Sequence, residues 1–384
     1  MKGLKILLLT NMFTPYWVPL LNEISRIAGE RGWQFRAAAI SGVESNRDWR
    51  LEADKFGFDA AVIRGLDGKT TERGLTVRLN WGVFRELSGY NPDVIVTSGY
   101  DSIAYWQAFF YARATGRKFV LRSGTTMMST KSVRGIRGLM KRVLVKGSDG
   151  FIAYGTRAKE YLERIGADSS RINICINTVD MEYFRERAGL GRACKDFPER
   201  RGGYPEFLML YSGQLIRRKG LSRVLAAIDR LQDPEIGLIV VGSGPQEAEL
   251  KRFCERRGLN VYFEGFKQQD GLAEYYALAD ALVLPSIDEV WGLVVNEALA
   301  AGQYVLCSKY AGAGHDLIRP GWSGELFDPD DIDALAYAIR RLKENAADVR
   351  ERREEISRQA VREFGIERSA RAFIETFESV RGGL

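Results

Sequence analysis

Two glutamates, Glu289 and Glu297, stand in the stretch "EVWGLVVNEALAAG", whose other residues read as the start of a buried helix. On a helix, the neighbours of Glu297 are Leu293, Val294, Ala300 and Ala301, all of them apolar. A carboxylate there is costly to dehydrate unless hydrogen-bond donors meet it, so a protein donor or a ligand hydroxyl should be waiting. Glu289 precedes Gly292, where the chain leaves a loop and enters the helix, which places it at the mouth of a cleft near a positive helix end. The plainer alternative makes Glu289 a favourable charge at the helix start and Glu297 a core-edge residue paired with an Arg or Lys.

Upstream, the apolar run LMLYS leads into "GQLIRRKG", Gly213 to Gly220, and then into the helical pattern LSRVLAAI. Arg217, Arg218 and Lys219 on a loop feeding a helix N-terminus can converge with backbone N–H groups on a diphosphate. A solvated basic turn fits the same residues. "VVGSGPQEAEL" adds Gly242, Gly244 and Pro245 after another apolar run, with Pro245 suited to a first helical turn. A dinucleotide fingerprint requires a third glycine where this chain has Glu247, so a tight turn, with or without a nucleotide beside it, is the reading that stands. No GxxxxGK[ST], HExxH, GxSxG or EF-hand pattern occurs, which removes the signatures of P-loop phosphotransfer, zinc proteolysis, serine hydrolysis and calcium binding.

From Lys131 to Lys146, "KSVRGIRGLMKRVLVK" carries six cations and no acid, and Val133, Ile136, Met140 and Val143 keep helical spacing. This helix can rest on an anionic membrane surface, receive an anionic acceptor, or pack its apolar stripe and solvate its charges. It lacks interleaved aromatics that stack on bases, so nucleic acid is not expected as a partner. The sole histidine, His315, rules out a histidine base in the first half and reads as a loop residue. Cys175, Cys194, Cys254 and Cys307 form no metal or disulfide pattern, which fits a reducing cytoplasm.

The elements that must position these residues recur in order. LKILLL, FRAAAI, AAVIR, DVIVTSG, KFVLRSG, GFIAYG and INICI precede residue 180; EFLMLYSG, GLIVVGSG, VYFEG, ALVLPS, YVLCS and GELFD follow it. Runs that are apolar throughout suit strands covered on both faces, hence two successive α/β units with parallel sheets. A chain of 384 residues is long enough for both, at roughly 150 residues per domain. The charged, Gly-rich segment 186–204 reads as the linker between domains 1–185 and 205–365, with helices to follow, and 366–384 as a helix packing back toward the first domain. With 45% hydrophobic and 28% charged residues the composition is that of a soluble globular protein, and the net charge of +6 favours anionic partners.

Together these stretches resemble the retaining glycosyltransferases of the GT-B fold, in particular the family 4 group, in which two Rossmann-like domains face each other across a cleft. The resemblance is densest from Phe207 to Asp328: GxLxxxKG, the VVGxGP turn, "VYFEGF", "ALADALVLPS", the two glutamates and "GELFDP". Weaker similarity, including "INTVD", covers the first half. By motif position it implies that Arg218 and Lys219 hold the donor diphosphate, beside Gly213, Gln214, Gly244 and Pro245. Glu289 meets a donor-sugar hydroxyl, Glu297 the ribose hydroxyls and Phe266 the base, while backbone N–H groups of Trp291, Gly292 and Leu293 line the sugar and phosphate pocket.

The reaction implied is transfer of a sugar from a nucleotide-sugar to an acceptor hydroxyl on a glycan or glycolipid, without cofactor or metal. The implied location is cytoplasmic, peripheral at the inner face of the membrane. The chain departs from the pattern at Gln214, where many members have Arg, and in its first loop, "TNMFTPYWVP", which lacks a glycine pair. A first-domain histidine is also missing, so Tyr100 to Ser102 or Ser123 to Thr126 would supply polar groups. An epimerase on the same frame and a non-catalytic nucleotide binder are the rival readings.

Overall fold

The computed structural model describes residues 3–41, 53–63, 66–70, 76–79, 82–130 and 135–382. They fall into two compact units, one of residues Met1–Val179 with Ile366–Leu384, the other of Asp180–Gly365.

The first unit carries strands β1 (Lys5–Thr10), β2 (Gln34–Ala39), β3 (Asp59–Val62), β4 (Leu66–Thr70), β5 (Thr76–Leu79), β6 (Val94–Ser98), β7 (Lys118–Ser123), β8 (Gly150–Ala153) and β9 (Ile172–Ile174). Seven make a parallel sheet in the order β3-β2-β1-β6-β7-β8-β9. The inner strand β1 shows why the run is apolar throughout: Ile6 and Leu8 enter one core and Leu7 and Leu9 the other, on opposite faces of the sheet. The remaining two, β4 and β5, form an antiparallel pair that the sequence pattern does not announce. The helix Ile366–Arg381 closes this unit, burying Phe373, Phe377 and Val380 in the core beneath β1. Ser369 Oγ donates to the Ile176 carbonyl at 2.9 Å.

The second unit carries β10 (Phe207–Ser212), β11 (Ile236–Val241), β12 (Val261–Gly265), β13 (Ala281–Leu284), β14 (Tyr304–Ser308) and β15 (Gly324–Phe327). They form a parallel sheet in the order β12-β11-β10-β13-β14-β15. Successive strands run outward from β10 in one direction and then, from β13 on, in the other. In doubly wound sheets the crevice outside the carboxyl ends at such a reversal is where ligands bind.

The segment read as a linker is helical instead. Met181–Ala193 and Phe197–Gly202 are helices of the second unit. Asp180 caps the first by accepting the Tyr183 N–H at 3.1 Å, and Met181, Phe184 and Ala188 supply a buried stripe. That stripe begins before the charged segment itself, so the charges are only its solvated face. At the amino end of β13, buried Asp280 accepts from Arg201, Arg350 and Arg353 at 2.7–3.0 Å, tying later helices to the sheet.

Candidate active site

The sequence's cation loop and its first glutamate meet at the reversal point of the second sheet. After β10, Gly213 to Gly220 forms a turn that ends in a short helical turn, Arg217–Lys219. Gly220 has φ +72°, and a Cβ there would come within 2.2 Å of the Pro285 carbonyl oxygen. The loop therefore lies directly against the end of β13, where Ile287 N–H donates to the Arg218 carbonyl at 2.9 Å. Seventy residues of sequence are closed this way, and the Lys219 ammonium forms an ion pair with Glu289. Both side chains are mostly shielded, at 17% and 13% exposure, and Ser286 Oγ donates to the same carboxylate at 3.4 Å. Shielding strengthens such a pair relative to one in open water.

The neighbouring loops are joined to this one through backbone. Gly213 N–H donates to the Val241 carbonyl at 3.0 Å, Leu215 N–H to Ser243 at 2.9 Å and Gln246 N–H to Leu215 at 3.1 Å. Gly242, at φ +141°, allows this approach: a Cβ there would stand 1.9 Å from the Gly213 oxygen. Gly244 passes over the Leu215 backbone, where a Cβ would stand 2.6 Å from the carbonyl oxygen. Pro245 lies just before the helix Glu247–Arg257 rather than within its first turn. Buried Tyr211 donates its hydroxyl to the Gln214 carbonyl at 2.9 Å, fixing the loop from below. Gly242 N–H also bonds the Gly265 carbonyl at 2.9 Å, which brings the exposed Phe266 ring to the same edge of the sheet. Arg218 is exposed, its Nη1 reaching the Asp288 carbonyl at 3.3 Å.

Glu297 lies elsewhere in kind. It sits on the helix Leu293–Ala300, entered through Gly292 at φ +100°, and is 1% exposed. Its donor is the hydroxyl of Tyr276, at 2.7 Å, not an arginine or lysine. Burial pushes its carboxyl up to about 7, an effect the Tyr276 bond only partly offsets. No hydrogen bond joins Glu297 to the cation loop among the described residues. Trp291, ahead of that helix, is buried and donates from Nε1 to Asn296 Oδ1 at 3.0 Å, while its carbonyl accepts from Ala313 N–H at 3.0 Å. Leu293, the first helical residue, is half-buried.

Tyr276, Tyr211 and Ser286 are the site residues that sequence reasoning missed. Ser286 stands three residues from Glu289 at the end of "ALADALVLPS", a signal close in sequence; the two tyrosines act through tertiary contacts with no local signature. His315, expected in a loop, lies within the short helix Gly312–Leu317, with Nε2 2.8 Å from the Lys309 carbonyl oxygen.

Of the basic stretch, Lys131 to Arg134 fall outside the described residues, and Gly135–Lys146 is a helix. Its buried face is Leu144 and Val145, whereas Met140 and Val143, expected in the packed stripe, are exposed beside Leu139. The preceding loop exposes Met127 and Met128 as well. Among the described residues no group of three or more His, Cys, Asp or Glu gathers as a metal site, and no helix is long and apolar enough to cross a membrane.

Residues 197–362 match the family model for glycosyl transferases group 1. The D-inositol 3-phosphate glycosyltransferase of Thermomonospora curvata is 33% identical over 243 residues, which cover 59% of this chain and 55% of that one. A glycogen synthase of Mycobacterium tuberculosis is 30% identical over 62% of this chain and 56% of its own length. This chain thus matches little more than half the length of either relative. Among solved structures, HepE of Anabaena in complex with UDP superposes with a TM-score of 0.75 at 18% identity, covering 98% of this chain and 100% of that one. A glycosyltransferase of Rickettsia africae reaches 0.77 at 16% identity, with both chains fully covered. The chain has the GT-B fold, and its residues 197–362 match the glycosyl transferases group 1.

Proposed function

We propose that the protein is a retaining glycosyltransferase that moves a sugar from a nucleotide-sugar donor to an acceptor hydroxyl. The observation that carries this reading is the Lys219–Glu289 ion pair at the carboxyl ends of β10 and β13, set against a backbone-zipped glycine loop. Breaking the bond between sugar and diphosphate leaves negative charge on the phosphate and positive character on the anomeric carbon. Lys219, Arg218 and the N–H groups of Trp291, Gly292 and Leu293 stabilise the first in a shielded site. Glu289, released from Lys219 when the diphosphate arrives, accepts a hydroxyl of the donor sugar. Glu297 accepts ribose hydroxyls, and Phe266 lies beside the base. The acceptor attacks from the face the diphosphate leaves; its proton passes to a phosphate oxygen, so neither a protein nucleophile nor a metal ion takes part. Solved chains of this fold hold UDP and UDP-glucose, which supports a nucleotide-sugar as donor.

The acceptor is a glycan or glycolipid, and the helix Gly135–Lys146 rests on an anionic membrane through Leu139, Met140 and Val143 with the cations around them. Flotation with anionic vesicles should recover the wild type and lose Leu139→Asp; equal flotation of both removes the membrane from the account.

The reaction is tested by incubating the protein with nucleotide-sugars, with and without hydroxyl acceptors. Nucleotide release that an acceptor accelerates, with the donor's anomeric configuration kept in the product, is expected. Conversion of the donor without any acceptor would favour an epimerase, and binding without turnover a non-catalytic homologue.

A further inference from the structure

In the first unit a second cation stands at the carboxyl ends of the strands, with different company. Lys141, half-buried on the helix Gly135–Lys146, donates to Thr130 Oγ1 and to Tyr161 OH, both at 3.2 Å. Its ammonium lies 4.8 Å from the ring centroid of Tyr100 and 5.7 Å from that of Tyr161. Tyr100 follows β6, and its hydroxyl donates to Thr125 Oγ1, in the loop after β7, at 2.6 Å and lies 3.4 Å from Tyr161 OH. Trp106 Nε1 holds the Tyr100 loop in place through that residue's carbonyl at 3.0 Å.

Four chain segments thus converge on one ammonium and a set of hydroxyls. No carboxylate pairs with Lys141 among the described residues, and one of its three N–H donors has no partner there. A half-buried cation left without a counter-ion is costly unless a ligand supplies one. Arg142 and Lys146 stand on the same helix, so the local field is positive. Asp101, on the Tyr100 loop, is near enough to feel Lys141 but forms no ion pair with it. Burial pushes its carboxyl above the ordinary range, and the Lys141 charge draws it back only in part. Hydroxyl donors around a fixed ammonium match the several acceptor oxygens of a phosphate.

We infer that Lys141, with the hydroxyls of Tyr100, Thr125, Thr130 and Tyr161, binds a phosphate group carried by the acceptor. The inference rests on the transferase reading, since it takes the bound molecule to be the acceptor. The phosphate belongs either to a soluble phosphorylated glycan or to the headgroup of a glycolipid, with glycerol 3-phosphate and phosphatidylinositol as the probes of the two.

The test is calorimetric binding of glycerol 3-phosphate and inorganic phosphate, and co-sedimentation with phosphatidylcholine vesicles with and without phosphatidylinositol. Wild type, Lys141→Gln, Lys141→Arg and Tyr100→Phe are compared, and nucleotide binding is measured on the same samples. The soluble phosphates, the phosphatidylinositol vesicles or both should bind the wild type, and which of them binds names the source. Lys141→Gln should weaken that binding about 10-fold or more, and Lys141→Arg should restore most of it. Nucleotide binding should stay unchanged in every variant, so its absence from the wild type as well would count against the donor site and not this one. Equal binding by wild type and Lys141→Gln, equal binding of unphosphorylated glycerol, or no binding of any phosphate would overturn the inference.

Discussion

At the carboxyl ends of β10 and β13 the cation Lys219 meets the carboxylate Glu289, whereas beyond β6 and β7 the cation Lys141 meets only hydroxyls and aromatic faces. Both sit at the ligand-binding end of a parallel sheet. The paired site is neutral by itself, and a ligand entering it must separate the two charges, which favours a ligand that offers an anion to one and hydroxyls to the other. A nucleotide-sugar does both. The unpaired site, on the inference drawn above, offers its charge to a phosphate.

Removing the shared element of the paired site should have the largest effect. Lys219→Ala loses the diphosphate cation and leaves Glu289 uncompensated, and kcat should fall by about 10²–10³-fold, as for loss of a key oxyanion donor. Lys141→Ala should instead raise the acceptor KM and leave the donor KM alone; steady-state kinetics with each substrate varied separates the two.

The two glutamates should differ next, in stability. Glu297 is held up to about 7 by burial, against 4.5 for an ordinary glutamate. Its folded-state pKa is the higher one, so its contribution to stability is complete below the unfolded value and is lost as pH rises from there through about 7. At about 1.4 kcal/mol for each pH unit between those two values, wild type should lose ~3 kcal/mol over that window relative to Glu297→Gln. Urea denaturation of both proteins at several pH values checks this, and a constant difference between them would refute it.

Backbone approach should come third. Gly242→Ala places a methyl 1.9 Å from the Gly213 oxygen at φ +141°, and should cost roughly 1–3 kcal/mol and weaken nucleotide binding. Gly258→Ala, at φ +63° with no atom within 4 Å, should cost about 1 kcal/mol and leave binding alone. Equal effects on nucleotide affinity would show that the loop zipper does not shape the site.

The smallest change is a gain. Gln214→Arg adds a cation where the Gly213–Gly220 loop turns, and should tighten diphosphate binding by about 1 kcal/mol in direct titration.

The same contrast separates what could be read from sequence. The inner strands of both parallel sheets were legible because they are apolar on both faces and stop at turn residues; LKILLL and GLIVVGSG are β1 and β11. The pair β4 and β5 was not, because "LDGKT" and "TVRL" are short and lack that pattern. Helix Met181–Ala193 was hidden by the charges on its outer face. The Gly213–Gly220 loop and Glu289 could be singled out because their chemistry is local in sequence, although nothing local said that Lys219 and Glu289 would meet. Tyr276 beneath Glu297, and the hydroxyl cluster around Lys141, join segments far apart in the chain, and spacing carries no trace of such contacts.

The donor site itself is tested most directly by melting temperature. Wild type and Lys219→Met are heated with UDP, GDP, ADP, dTDP and their sugars. One nucleotide family should stabilise the wild type, by about 2.7 kcal/mol at a hundredfold excess over Kd, and Lys219→Met should lose most of that gain. Equal stabilisation of both proteins, or none of the wild type by any nucleotide, would contradict it.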